Sequence, residues 1–374
     1  MLDPIGGFLR IRTLFLDYLD TAFRIRDPII TKERRNLLEK NNAICTDPLL
    51  EPVPRYQASS HYLHTLAELN TPDDPLVNMP VKARQAFAEL TLSGLFESEL
   101  ATYQSDCRFQ AKYPRYTHQA EMLAHGVRNG QPGVVTSGTG SGKTEAFLLP
   151  VFACLSQEAI QWSAPAKNYL GRRWWQDETG QPYESWSALK NAKSLQPFRP
   201  HRQGEKRPAA VRALILYPMN ALVEDQLVRL RRALDSDQAR DTLNRHFKGN
   251  RLFFGRYTSA TPVTSFLEHP RPQNEKKERE RQKRKQEELF KAFTEFQKTQ
   301  EAARRQDQQS RDEKPDFSME DEICYLFPSV DGSELCSRWD MQATPPDILI
   351  TNISMLNAML AREVDGPIFD QTRH

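Results

Sequence analysis

From Ile5 to Lys40 the apolar residues Phe8, Ile11, Leu14, Phe15, Tyr18, Leu19 and Phe23 recur at three- and four-residue steps, the stripe of an amphipathic helix. Prolines and polar turns break the pattern between Asp47 and Pro80, and a helical period resumes from Val81 to Phe96. Beyond residue 105 the pattern changes. Four short, almost continuously apolar runs appear: GVVTS (133–137), VRALILYP (211–218), RLFFGRY (251–257) and DILITN (347–352). Such runs, bounded by glycine, proline or polar residues, predict strands buried on both faces of a parallel sheet. Helical patterns over 144–160 and 220–234 lie between them, so an α/β fold with a doubly wound, mostly parallel sheet is expected. The expected units are a helical N-terminal domain, 1–104, and a sheet domain, 105–374.

Two insertions interrupt the sheet domain. Residues 162–208 hold Trp162, Trp174, Trp175 and Trp186 among Arg and Lys with no clear period, and either packing or base stacking would account for them. Residues 268–318 are nearly all charged or amide apart from Leu289, Phe290, Phe293 and Phe296. A long polar helix or coiled hairpin with one small docking point fits that composition, and so does disorder.

Composition narrows the class of protein only slightly. The 374 residues are 39% apolar and 27% charged, which is ordinary for a soluble chain. No tract reaches the roughly 18 apolar residues of a membrane helix, and the N-terminus has Asp3 rather than a basic cluster before its apolar residues, so a cytoplasmic protein is expected. Net charge is only +2, so any attraction to nucleic acid must come from local clustering of the 51 basic residues. Five widely spaced cysteines, none in a C-x-x-C pair, argue against a zinc knuckle or a disulfide framework.

Chemistry enters with Ser137-Gly138-Thr139-Gly140-Ser141-Gly142-Lys143-Thr144, between an expected strand and an expected helix. Three glycines allow a tight turn whose N–H groups face inward onto phosphate oxygens, with the positive end of the helix behind them. Lys143 should reach the β and γ phosphates of ATP, and the Thr144 hydroxyl should ligate Mg²⁺. Ser137 stands where the strict pattern has glycine, and its small side chain is compatible with the same turn. Gln119 lies 24 residues before Lys143, in Tyr116-Thr117-His118-Gln119, and its amide suits the Hoogsteen edge of adenine.

In this order the segments resemble the first RecA-like lobe of superfamily-two DEAD/DEAH-box helicases. TSGTGSGKTE is similar to the phosphate motif, and YTHQ to the adenine-reading Q motif. LILYPMNALVEDQLVRL (214–230) resembles motif Ia, the Gly255-Arg256-Tyr257-Thr258 turn resembles the GG-type element, and PPDILITNISML (345–356) resembles motif Ib. The resemblance implies nucleic-acid contacts at Pro218, Asn220, Gly255, Thr258, Thr351 and Asn352, with DNA the expected polynucleotide. The spelling of the Ia and Ib segments is similar to large bacterial helicases, including the Druantia-type anti-phage defence proteins.

No D-E-x-H or D-E-x-D follows Asn352. The resemblance therefore implies that a downstream chain or region supplies the DExH box and the second lobe with its arginine finger, and that this chain alone binds ATP without efficient turnover. The reading is the N-terminal part of an ATP-dependent helicase or translocase, with a defence-complex partner possible. A non-catalytic ATP-binding scaffold that docks a partner through its insertions is the alternative.

Overall fold

The computed structural model describes all residues except 1–2, 47–54, 69–73, 102–106, 129–131, 139, 168, 171–172, 193–197, 264, 267–274, 315–316 and 373–374, and except the side chains of residues 4, 221 and 275. Met1–Arg55 and Tyr56–His374 form two compact units. In the first, the long periodic stretch is two helices, α1 (Pro4–Ala22) and α2 (Pro28–Leu38). Asp3 caps the first by accepting the Gly6 N–H and Asp27 the second by accepting those of Ile29 and Ile30, and proline opens each one where its missing N–H costs nothing. Arg34 and Arg35 of α2 pair with Asp20 of α1 at 2.7 and 2.8 Å.

The second unit begins with α3 (Val81–Leu92) and an antiparallel pair, β1 (Ser98–Leu100) and β2 (Phe109–Ala111). The chain continues through α4 (Thr117–Val127), α5 (Lys143–Ala159), α6 (Trp186–Asn191), β3 (Ala213–Tyr217), α7 (Asn220–Asp235), α8 (Asp237–His246) and β4 (Phe254–Tyr257). It ends with α9 (Glu275–Glu313), β5 (Glu334–Leu335), α10 (Arg338–Ala343), β6 (Ile348–Asn352), α11 (Ile353–Ala361) and α12 (Gly366–Asp370). The strands β3-β6-β4-β5, in that order, form one parallel sheet in which Leu349 of β6 sits opposite both Leu214 and Gly255.

Alternation along the strands explains why their sequences are apolar throughout. Ile348 and Ile350 of β6, with Ile215 and Phe254, face a core built from α3, α4, α5, α7 and α8. Leu349, with Phe253, Tyr257 and Leu335, faces Met341, Met359 and Ile368 on the opposite side. Both faces of β4 and β6 are buried, as in a doubly wound sheet, while the edge strand β3 leaves Leu214 and Leu216 exposed. At the start of β6 the buried Asp347 takes two 2.6 Å hydrogen bonds from Arg207, one of 2.9 Å from Arg212 and one of 2.8 Å from the Phe253 N–H.

Two expectations need correction, and one open choice is decided. The GVVTS run, 133–137, is not in the sheet: a strand needs a neighbour to supply its ladder, no described residue pairs with it, and Val134 is 88% exposed. The division falls at Arg55 rather than near residue 105. Residues 56–104 join the second unit because Leu63, Leu66, Leu76 and Phe87 share a core with Leu148, Phe152 and Phe254, and Glu89 of α3 binds Arg245 and His246 of α8. Of the readings open for the charged insertion, the long polar helix is the one found over 275–313. It is a single helix of 39 residues, about 58 Å at 1.5 Å per residue.

The two insertions meet. Leu289, Phe290 and Phe293 of α9 pack with Trp174, Trp175, Val330 and Trp339, and the Trp175 indole N–H donates to the Gln297 side chain at 3.1 Å. Trp162 lies instead under the Arg207 guanidinium, 3.5 Å from its ring centre. Packing, not an exposed stacking face, occupies Trp162, Trp174 and Trp175, all at most 7% exposed.

Candidate nucleotide and nucleic-acid site

The loop over 137–144 closes onto the N-terminus of α5. Gly142 caps that helix in a left-handed conformation (φ +72°), and Gly140 is also left-handed (φ +76°). Only glycine adopts that region without strain, so these two positions turn the chain while leaving its N–H groups at the helix end. Gly142 is doubly constrained, because a Cβ there would lie 2.3 Å from Gln119 Nε2. The Ser137 and Ser141 hydroxyls lie 2.6 Å apart, so the serine that departs from the strict pattern ties the loop to itself. Lys143 Nζ is exposed and donates to the Ser137 carbonyl at 2.8 Å, spanning the loop. The Thr144 hydroxyl accepts from Gln226 Nε2 of α7 at 3.4 Å. Thr139 lies outside the described residues.

Gln119 is buried and its amide is spent on the protein. Its oxygen accepts the Tyr116 N–H at 2.9 Å, closing a capping box on α4, and its nitrogen donates to the Gly142 carbonyl at 3.1 Å. His118 Nε2 lies 2.9 Å from the Ser141 carbonyl. The end of α4 is thus bonded to the loop at two successive residues. Beside this contact stand three rings: Tyr116 stacks on His118 (centroids 5.7 Å apart, 16° between planes), and Tyr56 lies 5.5 and 6.0 Å from them. A Cβ on Gly138 would lie 2.5 Å from the Tyr56 hydroxyl. The sequence carried no signal for Tyr56, which stands 63 residues before Gln119.

The expected nucleic-acid residues divide into two groups. Pro218 and Asn220 are exposed just past β3, and Asn352 ends β6 beside them, donating from Nδ2 to Asn220 Oδ1 at 2.8 Å. Because the strands are parallel, these groups share the C-terminal edge of the sheet, where open α/β sheets bind ligands. Asn352 also caps α11, accepting the Met355 N–H at 2.7 Å. The other three are internal. Gly255 is buried within β4 rather than in a turn, and it is glycine because a Cβ would meet Met341 Sδ at 2.9 Å and the Leu335 carbonyl at 3.2 Å. Thr351 is buried and donates to the Tyr257 carbonyl at 2.6 Å, while the Thr258 N–H donates to Thr261. These threonines join strand ends and support the edge from behind.

One helix links the two places. α7 begins at Asn220, and its middle touches the nucleotide loop through Gln226 on Thr144 and the first turn of α5 through Arg229 on Glu145. Sequence reading missed Gln226 and Arg229 because their partners are 82 and 84 residues away.

The five cysteines are all free. Asp307, Glu322 and Cys324 lie close enough together to hold an ion, but Asp307 already accepts the Ile323 and Cys324 N–H groups at 2.9 Å each and Glu322 pairs with Arg311. No helix among the described residues is long and apolar enough to cross a membrane.

Comparison with known proteins agrees with this geometry. The chain is 27% identical over 378 aligned positions to Druantia protein DruE of Escherichia coli (strain UMEA 4076-1), an alignment that covers 95% of this chain and 17% of that protein. The chain therefore spans about a sixth of the length of that curated relative. No solved structure shows a significant match. Residues 116–252, from the α4 cap through the phosphate loop, β3, α7 and α8 to just before β4, match the DEAD/DEAH box helicase family, in keeping with the parallel α/β sheet around them.

Proposed function

We propose that residues 56–374 are the ATP-binding lobe of a helicase or translocase that moves on DNA in the cytoplasm and serves bacterial anti-phage defence. The observation that carries the reading is α7, which begins at the Asn220–Asn352 edge and reaches the phosphate loop through Gln226 and the start of α5 through Arg229. A change at the nucleotide has a rigid path to the strand-gripping edge. The likeness to a Druantia protein supports the defence setting.

The loop suits Mg-ATP by its chemistry: a helix N-terminus behind two left-handed glycines, one cation across the turn, and a threonine hydroxyl for the metal. Lys143 would hold the β and γ phosphates and Thr144 the Mg²⁺, while the backbone of Ser137, Gly138, Thr139, Gly140, Ser141 and Gly142 would cradle the phosphates. Gln119 would hold that cradle in place and Tyr56, Tyr116 and His118 would offer a ring surface to the base. ATP, when bound, supplies the phosphoanhydride whose hydrolysis drives movement. Asn220, Asn352 and the backbone at Pro218 would contact phosphates of the strand without reading bases, with Gly255, Thr258 and Thr351 supporting them.

We further propose that a region outside these 374 residues supplies the water-orienting carboxylate and the second lobe. β3 pairs only with β6 among the described strands and exposes Leu214 and Leu216 at 46% and 42%, which supports a further strand on that edge. Calorimetry with Mg-ATP tests the nucleotide assignment: Lys143→Ala should weaken binding about tenfold or more, which is about 1.4 kcal/mol. Equal affinity in the two proteins would remove Lys143 from the site.

A further inference from the structure

We propose that the cavity where the two insertions meet is a phosphate-binding site. It has a volume of about 280 Å³ and is lined by Lys167, Arg173, Trp174, Arg199, His201 and Asp340, with Phe293 of α9 closing one side; no residue of the 137–144 loop lines it. Its polar inventory is lopsided. Arg173 is 6% exposed, and its Nη1 lies 3.0 Å from His201 Nδ1, while His201 Nε2 donates to the Gly332 carbonyl at 2.6 Å. His201 is therefore a neutral acceptor for the guanidinium, and burial together with the Arg173 charge holds it well below the usual imidazole range.

That leaves Arg173 Nη2 buried with no hydrogen-bond partner among the described residues, and the Trp174 indole N–H is in the same condition. Two donors without an acceptor, both on residues that line one cavity, call for a ligand rich in acceptors, because a buried N–H left without a partner is destabilising. The one carboxyl in the lining, Asp340, has its oxygens taken up by the His201 N–H at 2.9 Å and the Ser337 hydroxyl at 2.6 Å. Lys167 and Arg199 are exposed and add two further cations. Three cations against one engaged carboxyl suit a group of about −2 charge with three acceptor oxygens, which describes a phosphate monoester better than a carboxylate.

The shared chemistry has two sources, a free phosphate compound or the terminal phosphate of a nucleic acid. The test uses the full chain carrying Lys143→Ala, so that the nucleotide loop contributes little, titrated by calorimetry with inorganic phosphate. Saturable binding is expected, weakened at least tenfold by Arg173→Gln and also by the double change Lys167→Glu with Arg199→Glu, whose exposed positions leave folding intact. Competition by a 5′-phosphorylated oligonucleotide, with none from its 5′-hydroxyl counterpart, would assign the site to nucleic-acid ends; competition by neither would assign it to a free compound. Absence of saturable phosphate binding, or equal affinity in the double variant, would overturn the proposal and leave a water-filled cavity.

Discussion

Gln119 donates to the carbonyl of Gly142, the residue that turns the phosphate loop into α5, while its own oxygen is held by the N–H of Tyr116. An amide engaged on both sides positions the loop rather than presenting an edge to a base. Gln119→Ala should therefore weaken ATP and GTP alike, by about 1 kcal/mol for the lost hydrogen bond, or roughly fivefold. Competition binding checks this. A preference for ATP that narrows in the variant would show instead that the amide leaves Gly142 and reads adenine.

At the opposite end of α7, Asn220 faces the Asn352 amide across the ends of two parallel strands. Asparagine contacts to phosphate add hydrogen bonds but release no counterions. Asn220→Ala should weaken binding of single-stranded DNA several-fold at every salt concentration, with the slope of log affinity against log salt unchanged. Fluorescence anisotropy over a salt series decides it, and a flatter slope would mean that the loss works through a displaced lysine or arginine. Asn220 is the better probe than Asn352, whose replacement also removes the α11 cap, at a cost of about 1 kcal/mol.

Glu89 supplies a pH test of how residues 56–104 are held. Burial disfavours its charge, but hydrogen bonds from His246, Arg245 and the Arg108 N–H outweigh that and lower the carboxyl to about 2 from an ordinary 4.5. A carboxyl with a depressed folded-state value contributes stability that is complete above 4.5 and lost as pH falls toward 2. Shifts of this size correspond to about 3 kcal/mol as an upper figure. Urea unfolding should therefore show the wild type losing stability between pH 5 and pH 3, while Glu89→Gln starts lower and loses less over the same interval. Parallel curves for the two proteins would place the contribution elsewhere.

What the sequence could and could not disclose follows from the range of each interaction. The loop over 137–144 was legible because its parts lie within eight residues, and the two-faced strands were legible because burial on both sides makes a run continuously apolar, whereas the bond from Gln119 to Gly142, 23 residues on, was not. The run at 133–137 has the same composition but no neighbouring strand, and composition cannot report a missing partner. Gly255 looked like a turn glycine because glycine is common in turns, whereas here it is demanded by Met341, 86 residues on. Tyr56 and Gln226 were hidden for the same reason of distance. The boundary at Arg55 was obscured because prolines and polar turns break the periodicity on both sides of it, and nothing local shows that residues 63–67 fold into the core of the second unit.

The docking of α9 gives the last prediction. The C-terminal half of the 39-residue α9 is held by Asp307 and Arg311, while its apolar anchor on the Trp-rich insertion is Leu289, Phe290 and Phe293, and the Phe293 ring sits 4.7 Å from Trp175 and 5.9 Å from Trp174. Removing a buried phenyl group costs about 3–5 kcal/mol through lost transfer energy and the cavity left behind. Phe293 touches the Trp-rich insertion but not the sheet core, whose members are a separate cluster. Phe293→Ala should therefore loosen both insertions together and leave the nucleotide loop as it was. Hydrogen exchange should rise in 174–190 and in 287–300 while Mg-ATP affinity stays within about twofold of wild type, since additive behaviour is expected for sites without shared partners. Exchange confined to α9 would show that the tryptophans are held by Trp339 and Phe198 alone. A parallel loss of ATP affinity would show that the insertions and the loop fold as one cooperative unit.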